Sequence, residues 1–152
     1  MQKIALFPGS FDPITRGHVD IISKGLGIFD RIIIGIGSNT SKKPLFSIEQ
    51  RMEWIRSVFE GESRLEVMSY EGLTVSFCKE LNANYIIRGL RSGLDFEYEQ
   101  SIAFANKEME PAIETVFLLS SPSYSNISST IVRDIIVNKG DYSKFVPAGI
   151  KF

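Results

Sequence analysis

Phe7-Pro8-Gly9-Ser10-Phe11-Asp12-Pro13-Ile14-Thr15-Arg16-Gly17-His18 is the stretch that decides the fold. It follows a short apolar run, Ile4 to Phe7, which reads as a buried strand closed by Pro8-Gly9. It precedes Gly17 to Gly25, where Val19, Ile22 and Leu26 fall on one helical stripe. A strand, a glycine- and proline-punctuated loop and a helix make the opening of a β-α-β unit. The loop matches neither the Gly-x-Gly-x-x-Gly dinucleotide fingerprint nor the Gly-x-x-x-x-Gly-Lys-Ser/Thr phosphate loop. It still has the physical parts of an anion site. Gly9 permits close backbone approach, and Gly17 removes a side chain beside the helix start. Free amides there, together with the helix dipole, suit a phosphate. His18, the only histidine, sits in the first helical turn. Imidazole is the one side chain that titrates near neutrality by default, which makes His18 the candidate catalytic group.

The same alternation continues outward. Arg31 to Ile36, Arg64 to Ser69, Tyr85 to Ile87 and Thr115 to Leu119 read as strands. Ser47-Ile48-Glu49-Gln50 reads as a capping box opening a helix that runs to about Phe59. Leu73 to Leu81 and Asp95 to Met109 have helical period, the second with Tyr98, Ile102, Ala105 and Met109 on one stripe. Ser128 or Ser129 caps a last helix that reaches about Asn138, and no element is assigned after Gly140. Five strands alternating with five helices predict an α/β fold: one Rossmann-like parallel sheet with right-handed crossovers and helices on both faces. Ligands of such sheets sit beyond the carboxyl ends of the strands, near the reversal of strand order. The loops that start near Pro8, Ser38, Arg88 and Ser120 are therefore the ones that carry function.

Composition bounds the rest. A chain of 152 residues, 43% hydrophobic and 23% charged, is one globular domain spanning residues 1–152. Seventeen Lys+Arg against eighteen Asp+Glu leave no basic excess, which argues against a nucleic-acid partner. One cysteine and one histidine allow no intramolecular disulfide, no structural zinc site and no Cys-x-x-Cys redox pair. The apolar run Ile32-Ile33-Ile34 is far short of the roughly 20 residues that cross a bilayer. The apolar N-terminal segment is too short for a signal-peptide core, so the expectation is a soluble, cytoplasmic protein with no membrane partner.

Pro8 to Asp20, with its Gly17-His18 pair, resembles the signature of the nucleotidylyltransferase superfamily. Four further blocks extend the resemblance to the bacterial phosphopantetheine adenylyltransferases: Ser41 to Pro44, Ile87 to Arg91, Asp95 to Glu99, and Ile127 to Thr130. Their order and spacing cover residues 3–147. The resemblance implies reversible adenylyl transfer from ATP to 4′-phosphopantetheine, giving dephospho-coenzyme A and pyrophosphate in coenzyme A synthesis. Mg²⁺ accompanies the ATP, and no metal ligand is assigned to the protein. It further implies direct in-line attack without a covalent enzyme intermediate, a homohexamer, and feedback inhibition by coenzyme A.

Residue by residue, the resemblance makes His18 the transition-state stabiliser, with Lys42 and Arg91 beside the reacting phosphates. Ser10, Lys42, Thr74 and Arg88 become acceptor contacts. ATP contacts become Ser10, Phe11, His18, Gly89, Leu90, Arg91 and Glu99, with Tyr124, Ser125, Asn126, Ile127, Ser128, Ser129 and Thr130. The family usually has threonine at position 10 and serine at position 130; Ser10 and Thr130 keep the hydroxyls. Without the resemblance, Glu99 reads as part of a solvated helix face, and Asp12 reads as a turn former. The chemistry suits such a site. A phosphate nucleophile is already an anion, so the protein has to align two polyanions and offset charge at phosphorus. Two rival readings share the first loop: another nucleotidylyltransferase, such as a cytidylyltransferase or a nicotinate-mononucleotide adenylyltransferase, and a non-catalytic nucleotide sensor.

Overall fold

A computed structural model of the chain describes residues 1–38 and 43–152. Strands β1 (Ile4–Gly9), β2 (Arg31–Gly37), β3 (Leu65–Tyr70), β4 (Tyr85–Leu90) and β5 (Glu114–Leu119) alternate with helices α1 (Arg16–Leu26), α2 (Ile48–Val58), α3 (Thr74–Glu80), α4 (Gly93–Met109) and α5 (Ser129–Val137). A single 3₁₀ turn, Pro122–Tyr124, precedes α5. All strand pairs are parallel, in the order β3-β2-β1-β4-β5. This is the predicted α/β sheet.

The order reverses at β1, and the pairing there opens. β1 pairs with β2 along its whole length, Ile4↔Arg31 to Gly9↔Ile36. With β4 it pairs only at Ala5↔Tyr85 and Leu6↔Ile86. The carboxyl halves of β1 and β4 therefore part, and the crevice between them is the switch point.

The core lies on both faces of the sheet. One face packs β1 and β2 residues such as Phe7, Ile32 and Ile34 against Ile21 and Ile22 of α1, Ile55 of α2 and Val132 of α5. The other packs Leu6, Ile33 and Ile86 against Val75, Phe77 and Cys78 of α3. Ile32, Ile33, Ile34 and Ile36 are fully buried, and each contributes about 1.5–3 kcal/mol. Val146 and Ile150, beyond the last helix, also enter the core. The Arg16 backbone N–H donates to Phe145 O at 2.9 Å, and its guanidinium reaches Val146 O at 3.0 Å. The segment after Gly140 is thus ordered by docking rather than by regular structure.

Three expectations change. Strand β4 does not stop at Ile87. Its pairing with β5 runs on to Leu90↔Leu119, so Arg88 and Gly89 are strand residues. The stripe on α4 does not face a core: Tyr98, Ile102 and Met109 are exposed, and Glu99 is the helix's buried residue. Ser47 caps α2 by accepting from the Gln50 N–H at 3.2 Å, but that box is not reciprocated. The reciprocal box belongs to α1, between Thr15 and His18.

Candidate active site

Two cavities open at the carboxyl rim of the sheet. The larger, about 920 Å³, lies between α4 and the sheet; Ile86, Ile102, Ala103 and Pro44 give it apolar walls, with Tyr70, Thr74 and Asn106 as polar points. The smaller, about 330 Å³, is lined by Phe11, Gly17, His18, Arg91, Tyr124 and Ile127 to Thr130. Pro8, Gly9, Ser10, Arg88 and Glu99 line both. The parted ends of β1 and β4 thus form a common wall.

His18 is held by the helix it helps to start. Its backbone N–H donates to Thr15 Oγ1 at 3.3 Å, and the Thr15 backbone N–H donates to His18 Nδ1 at 3.0 Å. An N–H that donates to Nδ1 requires that nitrogen to be unprotonated. The neutral ring therefore carries its hydrogen on Nε2. Burial, followed by the charges of Arg88 and Arg91, pushes the His18 pKa down from 6.5 to about 4. At neutral pH the group is an uncharged, oriented N–H donor. The Phe11 ring lies 4.7 Å from the imidazole and also packs edge-on to Phe7. Phe11 adopts a left-handed backbone (φ 46°), the local strain that folds its ring back onto the imidazole. A Cβ on Gly9 would approach that ring to 3.0 Å, so any larger residue there would press on Phe11.

Arg88 enters from the end of β4. It forms a two-pronged pair with Glu99 at 2.7 and 2.5 Å, and its third nitrogen donates to Pro8 O at 2.8 Å. Glu99 is only 8% exposed, which overturns the solvated-face reading. The pair fixes the guanidinium plane at the wall between the cavities. Arg91 is paired with Asp95 and also donates to Ile127 O. The N-terminal ends of α1 and α5 both border the smaller cavity, adding positive potential there.

The structure gathers Ser10, Phe11, His18, Arg88, Gly89, Arg91, Glu99, Tyr124, Ile127, Ser128, Ser129 and Thr130 around the smaller cavity. Leu90 is instead buried, and it stands outside the lining together with Ser125 and Asn126. Thr74 lines the larger cavity, 2.9 Å from the Tyr70 hydroxyl. Lys42 lies outside the described residues.

Several residues that hold the site have no motif of their own. Asp12, 4% exposed, accepts from the N–H groups of Leu45 and Phe46 at 2.8 and 3.0 Å, tying the first loop to the second. Arg51 of α2, also buried, donates to Ser10 O at 2.6 Å. Arg133 of α5 donates to Asp12 O at 2.8 Å. Asp20 receives the Ser121 N–H and hydroxyl, each at 2.8 Å, and anchors the loop that leads to Tyr124.

A parallel sheet that reverses order at β1, with an imidazole and two guanidinium groups at that rim, has the parts that nucleotidyl transfer needs. Residues 6–135 match the family model described as cytidylyltransferase-like. A bifunctional NMN adenylyltransferase/ADP ribose pyrophosphatase from Francisella tularensis shares the fold, with a TM-score of 0.73 at 21% identity over 99% of this chain and 46% of that one. The phosphopantetheine adenylyltransferase of Flavobacterium psychrophilum is 52% identical over 151 residues, covering 99% of each chain. That of Caldanaerobacter subterraneus is 45% identical over 146 residues, covering 96% of this chain and 91% of the relative. The chain belongs to the phosphopantetheine adenylyltransferase family.

Proposed function

We propose that the protein transfers the adenylyl group of ATP to 4′-phosphopantetheine, forming dephospho-coenzyme A and releasing pyrophosphate. The observation that carries this reading is the shared wall. Two cavities of different character meet at Ser10 and the Arg88–Glu99 pair, as a reaction between two phosphate-bearing molecules requires. The smaller cavity, with its helix ends, His18 and Arg91, suits ATP. The larger, which sets apolar walls beside polar side chains and charged groups such as Lys43, Glu71, Arg88 and Arg133, suits an amide-bearing thread that ends in a phosphate at Arg88.

An oxygen of the acceptor phosphate attacks the α-phosphorus. The bond from that phosphorus to the bridging oxygen breaks, and pyrophosphate leaves with the electron pair. No base is needed, because the nucleophile is already an anion. His18 Nε2–H donates to an α-phosphoryl oxygen as charge gathers there. Arg88, held by Glu99, orients the attacking phosphate; Ser10 and Arg91 flank the transfer, and Lys42 is assigned to the same phosphates. ATP would carry Mg²⁺ as its counter-ion, which would offset phosphate charge. Asp95 and Glu99 are already paired with arginines, and among the described residues no three acidic, His or Cys side chains cluster. Phosphate oxygens and water, rather than a protein cage, fit this ion.

Other parts of the reading rest on family membership. Coenzyme A, which carries both halves of the product, acts as a feedback inhibitor. The assembly is a homohexamer, a state that would cover the exposed Leu94, Tyr98 and Phe104 of α4. The protein works in the cytoplasm; among the described residues no helix is long and apolar enough to cross a membrane.

Pyrophosphate release with ATP, Mg²⁺ and phosphopantetheine tests the reaction. Consumption of nicotinate mononucleotide in place of phosphopantetheine would overturn the acceptor assignment. His18→Ala should still bind ATP while turnover falls about 10²–10³-fold. Unchanged turnover would refute the role of His18, and a wild-type protein that binds ATP but releases no pyrophosphate would be a nucleotide-binding protein instead.

A further inference from the structure

The lip of the larger cavity is formed in part by Lys43 and Pro44, at the start of the segment that leads into α2. That segment is held from two sides. On the inner side the buried Asp12 carboxylate accepts the N–H groups of Leu45 and Phe46. On the outer side a cluster of four rings closes over it. Phe46 stacks on Phe152 with centroids 4.9 Å apart and an interplanar angle of 21°. Trp54 of α2 meets both rings edge-on, at 4.8 Å from Phe46 and 4.9 Å from Phe152. Tyr142 meets Phe152 at 4.7 Å, and the Phe152 N–H donates to its hydroxyl at 3.3 Å.

We infer that Phe152, through Phe46 and Trp54, is a positioning residue for the acceptor side of the site. This inference rests on the assignment of the larger cavity to phosphopantetheine. No residue of the 43–46 segment lines the smaller cavity, so the brace acts on one substrate only. Edge and stacked contacts between rings have definite geometry, and together they fix the side chain of Phe46 while Asp12 fixes its backbone. A lip held in place before binding spares the acceptor the ordering of that segment. Phe152 touches no reacting group; its effect is on binding rather than on the transfer. Trp54 is the only tryptophan, so its emission reports directly on this cluster.

The test uses Phe152→Ala and the conservative Phe152→Tyr. Phe152 is 37% exposed, so neither change opens the core. For Phe152→Ala the KM for phosphopantetheine should rise roughly three- to tenfold, with kcat and the KM for ATP held within about twofold. Phe152→Tyr should restore the wild-type value. Trp54 emission should change little when phosphopantetheine is titrated into the wild-type protein, where the cluster is already formed, and should change more in Phe152→Ala, where binding has to order the lip. An unaltered KM for phosphopantetheine in Phe152→Ala, or an equal rise for both substrates, would overturn the inference. A wild-type protein that rejects phosphopantetheine but adenylylates another phosphate-ended acceptor would refute the functional reading instead. The brace is then judged by the same KM split with that acceptor.

Discussion

The depressed pKa of His18 has a direct thermodynamic signature, which a single variant isolates. His18→Gln is the informative change: glutamine, like glutamate, is usual at the N3 position of a capping box and can reach back to the Thr15 N–H, so the helix start survives without a titrating ring. In the unfolded chain the imidazole titrates near 6.5, and in the fold near 4. Between these values the unfolded state binds a proton that the folded state refuses, so stability rises with pH. Stability fully present above pH 6.5 is lost as the pH falls toward 4. The gap of about 2.5 pH units, at about 1.36 kcal/mol per unit, amounts to about 3 kcal/mol. Urea denaturation of wild type and His18→Gln across pH 4 to 7 reads this as a difference that grows on acidification. Carboxylates titrate in both proteins and cancel. The lone imidazole also gives one set of ring resonances, which should remain those of a neutral ring down to about pH 5. Bound ATP places phosphate charge against Arg88 and Arg91 and should raise the same pKa. A stability difference flat in pH, or an imidazole titrating near 6.5 in the folded protein, would refute the reasoning.

Two other changes test the frame around that group. Glu99→Gln removes the charge that orients Arg88; losing a charge-assisted contact of about 1.5–3 kcal/mol should lower kcat/KM for phosphopantetheine about ten- to a hundredfold, while the far-ultraviolet circular dichroism stays unchanged. Gly89→Ala places a Cβ 2.9 Å from Cγ1 of the buried Ile21, so that side chain or α1 must shift; calorimetry should show a loss of about 1–3 kcal/mol.

Much of the framework was legible in the residues themselves. Parallel topology followed from alternation, and the anion-binding first loop from two glycines beside a helix start. What escaped depended on partners distant in sequence. Glu99 looks solvated because α4 is charged on several faces; its burial comes from Arg88, which projects from a strand that pairing with β5 extends to Leu90. The apolar stripe of α4 has the right period for a core but no layer of this chain to meet. The capping box at α1 was missed because histidine stands where glutamate or glutamine is usual. Asp12, Arg51 and Arg133 act through backbone carbonyls and amides of other loops, contacts that leave no trace in local spacing. The segment after Gly140 lacks period altogether, yet it supplies Val146 and Ile150 to the core.

The reciprocal bonds between Thr15 and His18 make the reagent and the first turn of α1 a single object. Chain drift at position 15 is thereby felt twice, as a frayed helix and as an imidazole free to choose the wrong tautomer. Variants that loosen this turn will fall silent as enzymes well before they melt, and a second-site suppressor that restores only melting temperature will not revive them.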